Sequence, residues 1–413
     1  MRFALLGSGP AALAVARAVS RHAAHRLVRL AGPAAEGPGR VAALRACRGW
    51  EELLSDAEVD AVIFGETDDD WQPAVRQLLQ AGKTVLALPQ LVQATSFFYE
   101  LALFDAESPG RLFPLLALRG HPLVAELAQW IAGGRLGRIR HIQVERTITA
   151  PQVDGGTAGF MSPTDVAAAL LIDVDLLRLL VGPYDQVAAS RSGESGAGYS
   201  LATATFGGKS APQAVWTAVG SASESGWKLT LLGDAGTAVL DGRPLEGQLR
   251  LTINLPQQSP NVSEATADSG DWLLERFDAE LDRNSNRSGS AQNRSGIREN
   301  SGSNVTSLWN EMACAVELVD AVERSVRRRR TIDVYFETPS ERGLFKSQMT
   351  AVGCSLLMLT LVAIVLYLVL EASIVLPQLV RQVLVVLIFI PLGIFLLMQA
   401  LLFIARPPSH EEP

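Results

Sequence analysis

Six residues near the amino terminus, Gly7-Ser8-Gly9-Pro10-Ala11-Ala12, have the types and spacing to hold a phosphate. They follow an apolar run, Arg2 to Leu6, and precede a helical stretch, Leu13 to Ser20. Between a strand and a helix, the pattern G-x-G-x-x-G/A has a physical reason at each small position. Gly7 permits the tight turn. Gly9 lets the backbone approach a pyrophosphate, and Ala12 lets the helix pack close to the strand. The free N–H groups and positive dipole end of the helix then face the anion. Gly65 and Pro89 end two further apolar runs, from Asp60 and from Thr84, and join the turn as candidate contacts to NAD or NADP. The acid that usually meets the ribose at the end of the second strand is missing, since the chain reads Val28-Arg29-Leu30-Ala31-Gly32 with Glu36 nearest. Arg29 could meet a 2′-phosphate or stand as an exposed strand-end arginine.

Groups able to move a proton are scarce. No histidine lies between His141 and His410, and the lysines are Lys83, Lys209, Lys228 and Lys346. The candidates are Asp165, Asp173, Asp175 and Tyr184. Asp165 also reads as the cap of a helix beginning at Val166. Asp173 and Asp175 sit on a leucine-rich helix, where one can be solvated and the other paired with Arg178. The cysteines, Cys47, Cys314 and Cys354, are odd in number and far apart. They form neither a disulfide framework nor a CxxC site, and no metal centre is expected.

The elements that must position these residues follow from periodicity. Leu27 to Ala31, Asp60 to Gly65 and Thr84 to Pro89 read as buried strands. Trp71 to Gln80 reads as an amphipathic helix closed by Gly82. Strand and helix signals in alternation predict an α/β, doubly wound parallel sheet over residues 1–119. Residues 120–337 predict an α+β domain. Tyr199 to Gly220 and Trp227 to Asp241 alternate as half-buried strands, and Ser307 to Arg327 is an amphipathic helix. Residues 283–304, rich in Ser, Asn, Gly and Arg, read as a mobile loop.

Net charge is −7, so nothing asks for a nucleic-acid partner. The one dense basic run, Arg327 to Arg330, lies upstream of a much more apolar tail, where a lipid bilayer is its natural partner. Residues 351–370 and 383–405 carry no charge, and each is long enough for a transmembrane helix. Residues 338–350 form the linker before them. Flanking arginines put both termini and the globular part on the cytoplasmic side. A signal peptide is not expected, because Gly7, Gly9 and Pro10 interrupt the first apolar run.

Beyond these local readings, the chain from Met1 to about Val334 resembles the glucose–fructose oxidoreductase, inositol dehydrogenase and MocA group. The residues that carry the resemblance are the GSGPAA turn, Ala81 to Pro89, Arg119-Gly120-His121-Pro122, and Gly134 to Ile139. Leu231 to Ala238, and Glu317 to Arg330 followed by Thr331 to Val334, extend it. The resemblance implies a second domain with an open, mostly antiparallel sheet that covers the nicotinamide. It implies hydride transfer on a sugar, polyol or nucleotide-sugar, and assembly into a homo-oligomer through the outer face of that sheet. In the family, a lysine before a proline and the histidine of an H-x-x-D motif support proton transfer. At those places this chain has Leu88 and Ile172; Asp175 fits the aspartate, and Trp71 replaces a further common histidine. The resemblance leaves two expectations open: a working oxidoreductase with Asp173 or Asp175 in new roles, or a membrane-tethered sensor or scaffold that keeps only the nucleotide site.

Overall fold

The structure, a computed structural model, describes residues 1–7, 9–31, 44–65, 71–88, 91, 95–108, 110–116, 118–149, 160–193, 198–209, 211–222, 225–291, 308–336, 358, 360–364 and 366–367. The chain divides into two units, Met1–Phe336 and Glu337–Pro413, and the first holds both sheets.

The first sheet contains β1 (Arg2–Leu6), β2 (Arg26–Ala31), β3 (Arg45–Cys47), β4 (Ala61–Phe64), β5 (Thr84–Ala87) and β6 (Leu112–Pro114). They are all parallel, in the order β3-β2-β1-β4-β5-β6. Strands buried on both faces need continuous apolar runs, and β1, β4 and β5 supply them. The crossovers include α1 (Pro10–Arg21), α2 (Glu51–Leu54), α3 (Trp71–Gln80) and α4 (Thr95–Glu107). The order reverses between β1 and β4, which makes the end of β1 the switch point where ligands of such sheets bind.

After α5 (Pro122–Ala132) comes the second sheet, ordered β14-β13-β12-β11-β7-β10-β9-β8-β15. Its strands are β7 (Ile139–Thr149), β8 (Gln186–Ser192), β9 (Leu201–Gly207), β10 (Gln213–Ser221), β11 (Gly226–Gly233), β12 (Thr237–Arg243), β13 (Gln248–Asn254), β14 (Asn261–Thr266) and β15 (Ile332–Asp333). Every pairing is antiparallel except β7 with β10. One face buries alternate residues such as Ile142, Val144, Ala214, Leu229 and Leu240 beneath α6 (Pro163–Val181) and α8 (Leu308–Arg328).

The long helix α7 (Ser269–Ala291) leaves this sheet and crosses α1. A Cβ on Gly270 would lie 2.1 Å from the Ala14 carbonyl oxygen, so only glycine permits this crossing. Helix α7 covers residues 283–291, where the composition predicts a loop. Trp272, Leu273, Leu274 and Phe277 are buried and nucleate it, and propagation into a polar segment costs little once a turn exists. Residues 292–304 lie outside the described residues.

Among the described residues, no helix is long and apolar enough to cross a membrane. The linker 338–350 and the segment 383–405 lie outside them, as does most of 351–370.

One half-buried acid gives the unit a pH dependence. Burial pushes Asp105 of α4 up to about 6, against the Leu112 N–H at 2.7 Å and the nearby Arg111 charge. The folded value lies above the ordinary 3.8, so the folded state holds the proton more tightly and stability falls as pH rises through that window. Asp105→Asn keeps an acceptor for Leu112 and removes the titration. We expect the variant to gain about 2 kcal/mol over wild type between pH 4 and pH 7. Urea unfolding at the two pH values measures this, and an unchanged difference would refute it.

Candidate functional site

The turn after β1 is closed by backbone hydrogen bonds to the end of β4. The Gly9 N–H donates to the Gly65 carbonyl at 3.0 Å, and the Gly65 N–H donates to the Leu6 carbonyl at 2.7 Å. Gly7 has φ of 87°, in the left-handed region that favours glycine. A Cβ on Gly9 would sit 2.2 Å from the Gly65 oxygen, and one on Gly65 would sit 2.4 Å from the Ala12 Cβ. The three small residues are thus one steric unit, and Ala12 is fully buried. Helix α1 starts with Pro10 in its first turn, has no acid there and receives no side-chain cap. Its N–H groups and dipole are left for an anion, and the half-buried Ala11 lies in that turn. Residues present therefore fit a pyrophosphate. Ser8 and Pro89 lie outside the described residues.

Arg29 is not available to a 2′-phosphate, nor is it exposed. It is buried, donates to Asp56 at 2.9 Å and pairs with Glu58. Those acids raise its guanidinium above its ordinary value despite burial, the Glu58 hydrogen bond contributing most. Both precede β4, at the end of the strands opposite the phosphate turn. Lys83 is likewise occupied, donating to the carbonyls of Asp56 and Val59 at 2.7 Å each.

Asp173 and Asp175, on α6, are both buried and ion-paired. Inner-face positions alternate along β7 through Ile142 and Val144, and that period puts Arg146 on the inner face too. Arg146 grips Asp173 through Nε at 2.8 Å and Nη2 at 2.6 Å. The neighbouring inner faces add two indoles: Trp216 Nε1 of β10 donates at 2.7 Å and Trp227 Nε1 of β11 at 2.8 Å. Asp173 thus accepts four hydrogen bonds and is 0% exposed, which leaves no face for a substrate. Asp175 accepts both Nε (2.7 Å) and Nη2 (2.5 Å) of Arg119, the residue that follows the first sheet. Burial pulls Arg119 down, but the Asp175 hydrogen bonds and charge outweigh it and hold the guanidinium above its ordinary range. Arg178 pairs with Glu311 at 3.4 Å, not with either aspartate, and lies over the Phe336 ring.

The remaining candidates also have structural surroundings. Asp165 is exposed in the first turn of α6. Ser162 is the cap, its Oγ accepting from the Asp165 N–H at 3.0 Å, because Pro163 starts the helix earlier than the apolar pattern does. Tyr184 is buried beside Phe206, and burial pushes its phenol up. Leu88 and Ile172 are half-buried and apolar, and Trp71 is fully buried among Phe64, Phe97 and Phe98. His121 is buried too; its Nδ1 accepts from Leu123 and its Nε2 faces the Gly247 carbonyl at 3.1 Å. Sequence reasoning missed Arg146, Trp216 and Trp227. The signal available was an arginine in phase with the apolar positions of a strand, which demands a buried acid opposite.

No protein-family model matches the chain, and a comparison with curated protein sequences finds no match either. Solved structures do match. An Agrobacterium radiobacter oxidoreductase in complex with NAD+, L-tartaric acid and magnesium superposes with a TM-score of 0.61 at 15% identity. The match covers 81% of this chain and 98% of that one. The WlbA dehydrogenase of Bordetella pertussis, in complex with NADH and UDP-GlcNAcA, gives 0.58 at 18% identity, covering 82% and 98%. A levoglucosan dehydrogenase in complex with NADH gives 0.61 at 14% identity, covering 82% and 100%. This chain has the fold of these three structures: a doubly wound parallel sheet followed by a large mixed sheet.

Proposed function

We propose that the protein is a membrane-anchored NAD(P)-binding protein of the oxidoreductase type. The observation that carries this reading is the turn in which Gly9, Gly65 and Ala12 exclude side chains at the uncapped start of α1. In this reading Gly7, Ser8, Gly9, Pro10, Ala11 and Ala12 hold the pyrophosphate, with Gly65 and Pro89 beside them. A bound nicotinamide supplies hydride chemistry. The substrate class is a sugar, polyol or nucleotide-sugar hydroxyl, by analogy with fold relatives solved with L-sorbose and UDP-GlcNAcA. The uncharged segments 351–370 and 383–405 support two membrane spans, with the arginine-flanked ends and the globular unit on the cytoplasmic side. Self-association through the outer face of the second sheet is part of the proposal, where Val219, Leu232 and Val262 are exposed.

A specific observation favours a second reading, a nucleotide-binding sensor or scaffold without redox chemistry. The two positions for proton transfer hold Leu88 and Ile172, and both nearby aspartates are enclosed in ion pairs.

Calorimetry of NAD(H) and NADP(H) binding to Met1–Phe336, the compact unit with its own cores, tests the shared part of both readings. Ala11→Asp is the informative variant. A carboxylate in the first turn favours the helix dipole by about 0.3–1 kcal/mol and repels a phosphate in the same place. The expected result is unchanged or higher melting temperature with about 10-fold weaker dinucleotide binding, or worse. Failure of the wild type to bind any dinucleotide at millimolar concentration would sink the proposal. Binding without hydride transfer to a panel of sugars and polyols decides for the second reading.

A further inference from the structure

We propose that His22, His25 and Asp278 form a binding site for a divalent transition-metal ion of the zinc class. His22 is the residue that ends α1, and His25 immediately precedes β2. Asp278 comes from α7, which the fold lays across that corner. One donor atom from each residue lies within 4.8 Å of the other two. The imidazole rings are stacked, with centroids 4.7 Å apart and planes at 24°. His25 Nε2 is 2.8 Å from Asp278 Oδ2.

Two imidazoles and a carboxylate are the donors of a three-ligand zinc site whose fourth place goes to water. Metal–ligand bonds of about 2.0–2.1 Å in a tetrahedron set donors about 3.3 Å apart. The His25–Asp278 pair needs only a slight opening to reach this. His22 lies on the exposed side, and bringing it in shifts only its stacking on His25 and the long contact from the Ala24 N–H at 3.4 Å. His25 is the fixed member: its side chain is 6% exposed, and its ring meets that of Phe3 nearly at right angles. The three residues therefore combine one held ligand, one half-buried acid and one exposed ligand that leaves an entry path. The other described histidine with a buried ring, His121, is committed to Leu123 and Gly247, and Cys47 and Cys314 are buried, so none of them competes. The site ties the α1–β2 corner of the first sheet to the helix that leaves the second, so an ion there stabilises their contact. It is independent of the phosphate turn.

The test uses the full-length, metal-stripped protein titrated with Zn2+ and with Co2+ as a spectroscopic probe, beside His22→Ala and Asp278→Asn. The expected result is one equivalent bound with tetrahedral Co2+ ligand-field bands, and affinity lowered about 10-fold or more in each variant. Zn2+ at about 100 times its wild-type dissociation constant raises the melting temperature of the wild type by a few degrees and that of each variant by about half as much or less. His22 is exposed, so His22→Ala keeps the fold and isolates the ligand role. Equal binding by wild type and both variants places the ion elsewhere and overturns the proposal, as does the absence of stoichiometric binding.

Discussion

Asp173→Ala is expected to lower the stability of the globular unit by about 3–5 kcal/mol, the cost of breaking one side of a buried ion pair. The substitution leaves Arg146 charged, 8% exposed and without its counter-charge. It also strands the indole N–H groups of Trp216 and Trp227, which donate to the same carboxylate at 2.7 and 2.8 Å. Each buried donor left unpaired costs about 1–3 kcal/mol, and the three losses share one centre, so they do not add. Set against a domain stability of about 5–15 kcal/mol, this brings the variant near the edge of folding. Urea unfolding measures it. A double variant with Asp173→Leu and Arg146→Met removes both charges and should recover much of the loss, because the penalty lies in the orphaned charge more than in the missing attraction. A loss below about 1 kcal/mol for Asp173→Ala would show that the network is not closed as described. The same result governs how activity data are read. An Asp173 variant that loses turnover together with its fold does not identify a general base.

Gly9→Val is expected to abolish dinucleotide binding, with an affinity loss of about 100-fold or more. The first atom of the new side chain would fall 2.2 Å from the Gly65 carbonyl oxygen, so either the turn or the end of β4 must move. Movement breaks the hydrogen bond from the Gly9 N–H to Gly65 and shifts the start of α1, where the phosphate would lie. A stability cost of about 1–3 kcal/mol accompanies it, as for other overpacked sites. Gly9→Val therefore tests the geometry, whereas Ala11→Asp tests the electrostatics of the same site. If both variants lose binding and only Gly9→Val loses stability, the small residues act as a unit around an anion. Wild-type affinity in Gly9→Val would contradict the placement of the nucleotide at this turn.

What the sequence alone determined lies within short stretches. The phosphate turn was legible because strand, turn and helix occupy residues 2 to 21, and the demand for Gly7, Gly9 and Ala12 is a local steric one. Helix Trp71–Gln80 and the alternating strands from Leu201 to Arg243 follow from a periodicity that each segment carries in itself. The outer limits of prediction show in the same way. Ser162 caps α6 where Asp165 was expected, because Pro163 shifts the start of the helix ahead of its apolar pattern. Periodicity says which face a residue occupies and is silent on what lies opposite. Arg146 stands 27 residues from Asp173, and Trp216 and Trp227 stand 43 and 54 from it. They meet because β7 pairs with β10 on one side and β11 on the other, an order set by the whole sheet. His25 and Asp278, 253 residues apart, meet because Gly270 lets α7 cross α1 closely enough. Tertiary structure alone turned Asp173, Asp175 and Arg29 from candidate site residues into buried ion-pair partners. A charge can stay buried only where the fold delivers its counter-charge, and that partner comes from a distant part of the chain.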